Sequence, residues 1–383
     1  MLAKIKIDKD IEDGEHLKSG VWKTTVILGI LVLVLVLVNY PTIQWRANPS
    51  RTIDIAIIDK SVSDMNYNEH KGLTWILNQQ KIRDRNGYTY VNDESYYGYN
   101  PSAANNIQSL PSTLRGKDLI YAADTYGIYK QEQQADQTYK QKLIYGGMKI
   151  EDVQKIQYAT ATGTTFIGEY NILGAPTDEG VRQQLENMLG IHWSGWKGRY
   201  YSELADVSIP MKQGYALATG KEWAYQGEGI LFIDEKENMV VLDSSDLDAH
   251  SFGVEFSEKG YEWSQMKGKT SYHGWFDIVE PRKRAEVLAE YTMDLSDAGA
   301  KKLKSAGIPD HFPAITRFNH TTHYSYYFSG DYANRVDTPY PTQYIGWDVV
   351  MRFFIPRTHQ NAFYWEIYVP VMKQIFSEIK ASS

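Results

Sequence analysis

The 383-residue sequence predicts an α/β protein with a mostly parallel, doubly wound sheet, aromatic-rich β elaborations and one preceding transmembrane helix. Two observations predict this architecture. A long uncharged apolar segment lies near the N-terminus, and beyond it short apolar runs alternate three times with helical patterns. Such alternation is typical of parallel sheets whose two faces are covered by helices.

The apolar segment predicts a membrane anchor. Residues 24–45 contain no charged side chain, and a helix of these 22 residues is long enough to cross roughly 30 Å of hydrocarbon. We therefore expect a tail at 1–23, an anchor at 24–45 and one folded domain at 52–383. A cleaved signal peptide is the alternative, but no small-residue cleavage site follows the apolar core.

Basic residues beside the anchor predict its orientation. Lys18 and Lys23 lie just before the span without close acids, which favours a cytoplasmic tail. Arg46 and Arg51 on the other side oppose this assignment. The expected location is the cell membrane, crossed once, with the C-terminal domain extracytoplasmic.

Composition excludes several classes of site. The sequence has no cysteine, which excludes disulfides, thiolate metal sites and a cysteine nucleophile. A net charge of −7 disfavours nucleic acid as a partner. No Gly-rich phosphate loop joins a strand to a helix, and we expect no cofactor. The 29 tyrosines and 10 tryptophans suit either sugar recognition or core packing.

Three strand–helix pairs are predicted in the first half of the domain. The strands fall at 52–59, 118–123 and 164–167, and the helices at 67–80, 151–162 and 177–189. Each strand is short and continuously apolar, as expected of strands buried on both faces.

The pattern changes after residue 189. The predicted elements are an aromatic segment at 191–201, a hairpin at 229–243, strands at 253–256 and 323–328, and helices at 282–291 and 363–379. These elements extend one large domain rather than forming a second one.

Acidic residues follow the predicted strands. Asp59, Asp124 and Glu169 end the first three strands, and Asp331 follows a later one. Ligands of parallel sheets bind at the carboxyl ends of the strands, and glycoside hydrolysis uses two carboxyl groups. We therefore expect Asp59, Asp124 and Glu169 to be catalytic. The alternative is that each acid caps a helix or braces a loop.

Neighbouring polar and aromatic residues complete the expected site. Lys60 is a candidate charge partner for Asp59 or Asp124. The expected ligand-binding residues are Lys60, His70, Tyr126, Tyr170, Asn171 and Asp331.

Two histidines are candidate metal ligands. His320 and His323 lie three residues apart, a spacing that places both rings on one face of a helix. The surrounding sequence predicts a strand, which would turn the rings to opposite faces. We therefore expect no metal site.

Four motifs carry a resemblance to a known family. They are Asp59-Lys60, Glu69-His70-Lys71-Gly72, Asp124-Thr125-Tyr126-Gly127 and the run Phe166 to Asn171. Together they resemble membrane-anchored extracytoplasmic proteins with a type 1 glutamine-amidotransferase-like domain. The resemblance covers most of 52–383 and implies an association with bacterial exopolysaccharide synthesis.

The sequence departs from this family at the nucleophile. True amidotransferases hold a cysteine in the turn after a central strand, where this sequence has Gly168-Glu169-Tyr170-Asn171. The expected function is therefore binding or processing of a cell-surface polysaccharide without amidotransferase activity. Two alternatives stay open: a glycan hydrolase using paired carboxylates, and a structural subunit of a membrane polysaccharide synthase complex.

Overall fold

The computed structural model describes residues 2–103, 105–133, 139–335 and 340–379. The chain forms two compact units. One contains the residues up to Pro49 together with Gln343–Trp347, and the other contains Ser50–Thr342 and the residues from Asp348 onward.

The first unit is dominated by helix α1 (Leu2–Ala47). Its part from Trp22 to Ala47 is long and apolar enough to cross a membrane. The side chains from Val26 to Val38 are exposed, as they would be in a helix that faces lipid. The Ile345 N–H donates to the carbonyl of Pro41 at 3.3 Å, which ties the segment at 343–347 to the last turns of α1.

The remaining elements in the described residues are as follows. The helices are α2 (Asn68–Gln79), α3 (Ile150–Thr160), α4 (Glu179–Leu189), α5 (Ile209–Thr219), α6 (Glu258–Ser264), α7 (Asp297–Ala306), α8 (Trp347–Phe354) and α9 (Val369–Glu378), with a 3₁₀ turn at Leu204–Asp206 and a π-helical turn at Tyr364–Tyr368. The strands are β1 (Arg51–Thr52), β2 (Ile55–Asp59), β3 (Ile82–Arg83), β4 (Tyr97–Tyr99), β5 (Ile107–Gln108), β6 (Leu119–Asp124), β7 (Ile128–Gln133), β8 (Tyr139–Tyr145), β9 (Thr165–Glu169), β10 (Ile191–Tyr201), β11 (Gly229–Asp234), β12 (Met239–Leu242), β13 (Gly253–Phe256), β14 (Thr270–Ser271), β15 (Trp275–Pro281), β16 (Ala285–Thr292), β17 (His311–Asn319) and β18 (Tyr324–Phe328).

A mixed sheet organises the second unit. Its strand order is β14-β13-β16-β17-β18-β9-β6-β2-β4-β5 in the described residues. The strands from β18 through β9, β6 and β2 to β4 run parallel, and the pairings outside them are antiparallel. The predicted parallel sheet is therefore confirmed for the five central strands.

Burial explains the apolar composition of the central strands. Every residue of β2 and β6 is buried, which requires cover on both faces. Ala56, Ile58 and Ile120 pack in one apolar cluster with side chains of α3 and α4. Tyr121, at an alternate position of β6, places its hydroxyl 2.8 Å from that of Tyr368 in the π-helical turn.

A second sheet lies beside the first. It is antiparallel with the order β12-β11-β10-β15, and the Asp277 N–H of β15 donates to the carbonyl of Ser329, just beyond β18, at 2.6 Å. Strands β7 and β8 form a separate two-stranded antiparallel sheet. The aromatic segment at 191–201 is thus an internal strand of this second sheet.

One predicted helix is wrong. Residues 282–291 were expected to be helical, but β16 occupies Ala285–Thr292 and pairs with β13 on one side and β17 on the other. Ala, Glu and Leu in this segment are helix formers, and the two strand pairings override that weak preference. The predicted hairpin and the strand at 253–256 are confirmed.

Candidate functional site

The strand-end acids meet at one edge of the parallel sheet. Asp59 and Asp124 are directly paired residues at the ends of β2 and β6, and Glu169 ends the next strand, β9. Asp331 follows β18 by three residues. The predicted common edge is confirmed, but the four acids differ in what surrounds them.

Glu169 is an internal brace. Its side chain is fully buried, although a catalytic role was predicted for it from the sequence. One carboxyl oxygen accepts from the Tyr121 hydroxyl at 2.6 Å, and the other accepts from the backbone N–H groups of Tyr332 and Ala333. Burial raises the pKa of Glu169 well above its usual value. This carboxyl ties β9 to the chain beyond β18, and it has no path to a ligand.

Asp59 and His70 form a buried pair. His70 Nδ1 lies 2.6 Å from Asp59 Oδ2, and the Ser61 N–H donates to Asp59 Oδ1 at 3.0 Å. His70 Nε2 donates to the carbonyl of Asn92 at 2.9 Å, since a carbonyl only accepts. Both ring nitrogens are therefore engaged inside the protein. His70 positions Asp59, and the expected contact between His70 and a ligand is not supported.

Lys60 pairs with a different acid from the two that were expected. Its Nζ donates to Asp152 Oδ2 at 2.5 Å and to the carbonyl of Gly147 at 2.9 Å, so neither Asp59 nor Asp124 is its partner. Burial lowers the pKa of Lys60, and Asp152 opposes that shift. Lys60 lines a separate cavity of about 500 Å³. The sequence could not show that α3 would bring Asp152 to this position.

Asp124 accepts hydrogen bonds from three neighbouring residues. It accepts from the Ser61 hydroxyl, from the Tyr126 N–H at 2.7 Å and from the Asn171 side-chain amide at 3.2 Å. The Gly127 N–H donates to Ser61 Oγ at 2.8 Å, which fixes the serine. Burial raises the pKa of Asp124 to about 8, and the charges of Asp59 and Asp331 add to this effect.

Gly127 makes this turn possible. Its φ is +95°, and an added Cβ would lie 2.2 Å from the carbonyl oxygen of Tyr145. Only glycine combines that backbone conformation with such a close approach. Asn171, on the other side of Asp124, has a φ of 72°, a conformation that asparagine tolerates better than most residues.

Two further acids share the environment of Asp124. Burial raises the pKa of Glu69 to about 8, and the charges of Asp59, Asp124 and Asp331 raise it further. Burial likewise raises the pKa of Asp331 to about 7; Asp59 adds to the shift, whereas Asn334 and Arg199 oppose it. We call Asp59, Glu69, Asp124 and Asp331 the carboxyl cluster.

Glu69 and Arg199 were not among the predicted site residues. Glu69 lies in the first turn of α2, one residue before the histidine that holds Asp59, and its signal in the sequence is its place in one of the four motifs that carry the family resemblance. Arg199 comes from β10, and its guanidinium carbon lies 5.1 Å from the ring centre of Tyr201. Nothing in the sequence indicated that the second sheet would bring this cation towards Asp331.

Aromatic residues border the cluster. Tyr126 follows Asp124 by two residues and is 38% exposed. Its ring centre lies 4.8 Å from that of Tyr129, with the two planes inclined by 37°. Tyr170, in contrast, is buried; burial raises its pKa well above the usual value, and the charges of Asp277, Asp124 and Asp331 add to this. Tyr126 and the partly exposed Tyr129 therefore offer an accessible aromatic face, whereas Tyr170 is not accessible.

The histidine pair lies elsewhere. His320 and His323 occupy the turn between β17 and β18, where their rings stack at 4.5 Å with planes 3° apart. The predicted placement on opposite faces is wrong because a turn, not a continuous strand, separates them. Nowhere in the described ranges do three or more His, Asp or Glu side chains form a group suited to a metal ion.

A larger groove lies at the other end of the central strands. It measures about 720 Å³ and is lined by residues that precede β6, β9 and β18, among them Lys117, Thr164 and His323. Burial lowers the pKa of His323 in this groove to about 4, and the charge of His320 adds to the shift. Because parallel sheets bind ligands at the carboxyl ends of their strands, the carboxyl cluster is the stronger candidate site.

The chain was compared with known proteins. No family model and no curated protein matches it. It is similar to the carbohydrate deacetylase Agd3 with 7% identity and a TM-score of 0.34, over 73% of this chain and 30% of that one. It is also similar to a cytoplasmic protein of Salmonella typhimurium, with 8% identity and a TM-score of 0.37 over 84% and 98% of the two chains.

A third similar structure is a putative ThuA-like protein from Bacteroides uniformis ATCC 8492. The identity is 9% and the TM-score 0.33, over 84% of this chain and 93% of that chain. The chain thus spans under a third of the deacetylase and nearly all of the other two proteins. Similarity at this level does not identify an activity.

Proposed function

We propose that this chain is a single-pass membrane protein whose extracytoplasmic domain binds or processes a cell-surface polysaccharide at the carboxyl cluster. In this proposal the domain is a doubly wound, amidotransferase-like scaffold without amidotransferase activity, associated with exopolysaccharide synthesis. Residues 24–45 anchor it, and residues 1–23 stay in the cytoplasm. The absence of cysteine removes the thiolate that glutamine hydrolysis by that route requires.

The protonation of the carboxyl cluster carries the proposal. The pKa values of Glu69, Asp124 and Asp331 lie at about 8, 8 and 7, so near neutral pH the cluster holds both protonated and ionised carboxyl groups. Such a mixture donates and accepts hydrogen bonds at the same time. A sugar hydroxyl needs both kinds of partner. Groups with strongly shifted pKa values concentrate at functional sites.

The aromatic face beside the cluster supports a saccharide in particular. Tyr126 is exposed two residues after Asp124 and packs against the partly exposed Tyr129, and the Tyr126 N–H itself donates to the Asp124 carboxyl group. Aromatic rings favour the C–H faces of pyranose rings, whereas carboxyl groups favour their hydroxyls. One sugar ring lying on Tyr126 would direct its hydroxyls towards the cluster.

A second candidate function is glycan hydrolysis. It is favoured by the proton that Asp124 retains at neutral pH, because a glycosidase needs a general acid beside a carboxyl group that ionises more readily. Asp331, with a pKa of about 7, is the carboxyl group that ionises more readily. The two candidates use the same site and differ only in turnover.

The site is tested with the full-length protein in lipid nanodiscs and a panel of neutral and acidic oligosaccharides. We expect saturable binding to at least one saccharide and a loss of about tenfold in affinity for Tyr126→Ala, or about 1.4 kcal/mol. The exposed Tyr158 offers a matched control, because Tyr158→Ala removes a ring far from the cluster in α3. Release of new reducing ends would favour hydrolysis. Equal binding by both variants would contradict the proposed aromatic face.

The orientation is tested in cells. Protease added to intact, wall-stripped cells is expected to degrade the domain after Arg46 and to leave a short protected fragment. Full protection of the domain would reverse the proposed orientation.

A further inference from the structure

Helix α8 has its polar side turned inward and its apolar side turned outward. Asp348 is only 3% exposed and pairs with Lys373 at 2.8 Å and with Arg352, one turn later, at 3.5 Å. Val349, Phe353 and Phe354 are exposed, and Phe353 reaches 83%. A surface helix of a water-soluble domain shows the reverse pattern. Helix α8 therefore exposes an apolar stripe whose contact with water is unfavourable.

The stripe is continuous along the helix. Val349 and Phe353 are four residues apart, so they lie on the same face one turn from each other, and Phe354 extends that face. The ion pairs of Asp348 hold the opposite face against α9 through Lys373. A rotation of α8 that hid the phenylalanines would have to break the ion pair between Asp348 and Lys373 of α9, so this pair holds the apolar face outward.

The chain itself indicates what covers this stripe. The residues Gln343–Trp347, which lead directly into α8, belong to the same compact unit as the helix that ends at Ala47. The Ile345 N–H donates to the carbonyl of Pro41 in the last turns of that helix. The start of α8 is therefore tied by two peptide bonds to the residue that contacts the end of the anchor.

Aromatic residues lie near the start of α8 and in the last turns of α1. Tyr344 and Trp347 contact each other with ring centres 5.3 Å apart, and Tyr40 in the last turns of α1 is half exposed. Tyrosine and tryptophan concentrate at the boundary between lipid and water. An amphipathic helix at that boundary places its apolar face about 5–10 Å into the headgroup region.

We propose that α8 is an interfacial helix whose apolar stripe, Val349, Phe353 and Phe354, lies in the outer surface of the bilayer that holds the anchor. This inference rests on the proposed anchoring of residues 24–45. It would give the chain a second membrane contact besides the anchor.

Site-directed fluorescence tests this contact, and the absence of native cysteine makes single labels clean. Phe353→Cys and Val349→Cys in the full-length protein are labelled with an environment-sensitive dye and reconstituted in nanodiscs containing nitroxide lipids. Leu217→Cys, at an 88% exposed position of α5, is the matched apolar control, and Leu31→Cys reports on the anchor.

We expect both α8 labels to lose most of their fluorescence with shallow nitroxides and less with deep ones. The label at 31 should be quenched best by deep nitroxides, and the label at 217 should not respond. Quenching at 31 without quenching on α8 would overturn this inference while leaving the anchor in place. A label on α8 that is shielded from water but unaffected by nitroxide lipids would identify a protein partner or a second copy instead, and would also overturn it. Absence of quenching at 31 would contradict the anchoring and this inference together.

Discussion

The ends of β6 and β9 carry the same sequence pattern and serve different purposes. Asp124 and Glu169 both end buried parallel strands that pair with each other. Asp124 accepts hydrogen bonds from the side chains of Ser61 and Asn171 and lies beside the exposed Tyr126. Glu169 accepts from the buried Tyr121 hydroxyl and from two backbone N–H groups. A strand-end acid is therefore defined by what reaches it from distant parts of the chain, not by its own strand.

The raised pKa values of Asp124 and Glu169 also have different meanings for function. Burial raises the pKa of both acids, but every oxygen of Glu169 is satisfied within the fold. The charge of Asp331 acts on both acids, and Asp124 in addition raises the pKa of Glu69 in the first turn of α2. A shifted pKa marks a candidate site only where several such groups meet beside an accessible surface.

The largest expected effect is the loss of the Glu169 brace. Glu169→Ala leaves two backbone N–H groups and the Tyr121 hydroxyl without their acceptor and opens a cavity, so it should lower the free energy of unfolding by about 3–5 kcal/mol. Glu169→Gln keeps one oxygen for the N–H groups and should cost much less. Chemical denaturation of the full-length protein measures both.

Glu262→Ala is the control for this pair, because Glu262 is exposed on α6 and the substitution should change stability by less than about 0.5 kcal/mol. A small loss for Glu169→Ala would show that the carboxyl group is not a brace. The folded fraction of Glu169→Gln should bind saccharide as the unchanged protein does.

The next effect concerns pH. The pKa of Asp124 is about 8 in the folded protein and near 3.8 in the unfolded chain, so folding favours its protonated form. The stability it contributes is complete below about pH 4 and is lost as pH rises through about 8. Asp331 and Glu69, with pKa values of about 7 and 8, act in the same direction.

Asp124→Asn removes one of these titrating groups. The loss of stability between pH 5 and pH 8.5 should be smaller in this variant than in the unchanged protein, by on the order of 3 kcal/mol. Denaturation at the two pH values measures the difference, with the exposed Glu262→Gln as control. If Asp124→Asn and the unchanged protein lost the same stability between the two pH values, Asp124 would not be held protonated in the folded protein.

Much of the parallel half of the fold is predictable from the sequence, for a physical reason. Strands β2, β6 and β9 are buried on both faces and so consist of continuous apolar runs, which a sequence displays directly. The helices after them show their own 3.6-residue period. The shared edge of Asp59, Asp124 and Glu169 follows from this topology alone.

The antiparallel half and the site depend on distant contacts. Strand β16 is built from helix-forming residues and becomes a strand only because β13 and β17 flank it. Lys60 was expected to pair with a strand-end acid, and the position of Asp152 on α3 decides otherwise. The contribution of Arg199 depends on how the second sheet lies beside the first. Local patterns do not contain such information.

The most direct measurement of the central claim is the saccharide affinity of Asp331→Asn. Asp331 belongs to the carboxyl cluster and makes no hydrogen bond to Glu169 among the described contacts, and its Oδ2 accepts from the Asn334 amide at 3.0 Å. With an oligosaccharide that the unchanged protein binds, we expect the dissociation constant to rise about tenfold, equivalent to about 1.4 kcal/mol, in isothermal titration at pH 7. Asp310→Asn, measured in parallel, should bind as the unchanged protein does. An unaltered affinity for a fully folded Asp331→Asn would contradict the assignment of the carboxyl cluster as the polysaccharide site.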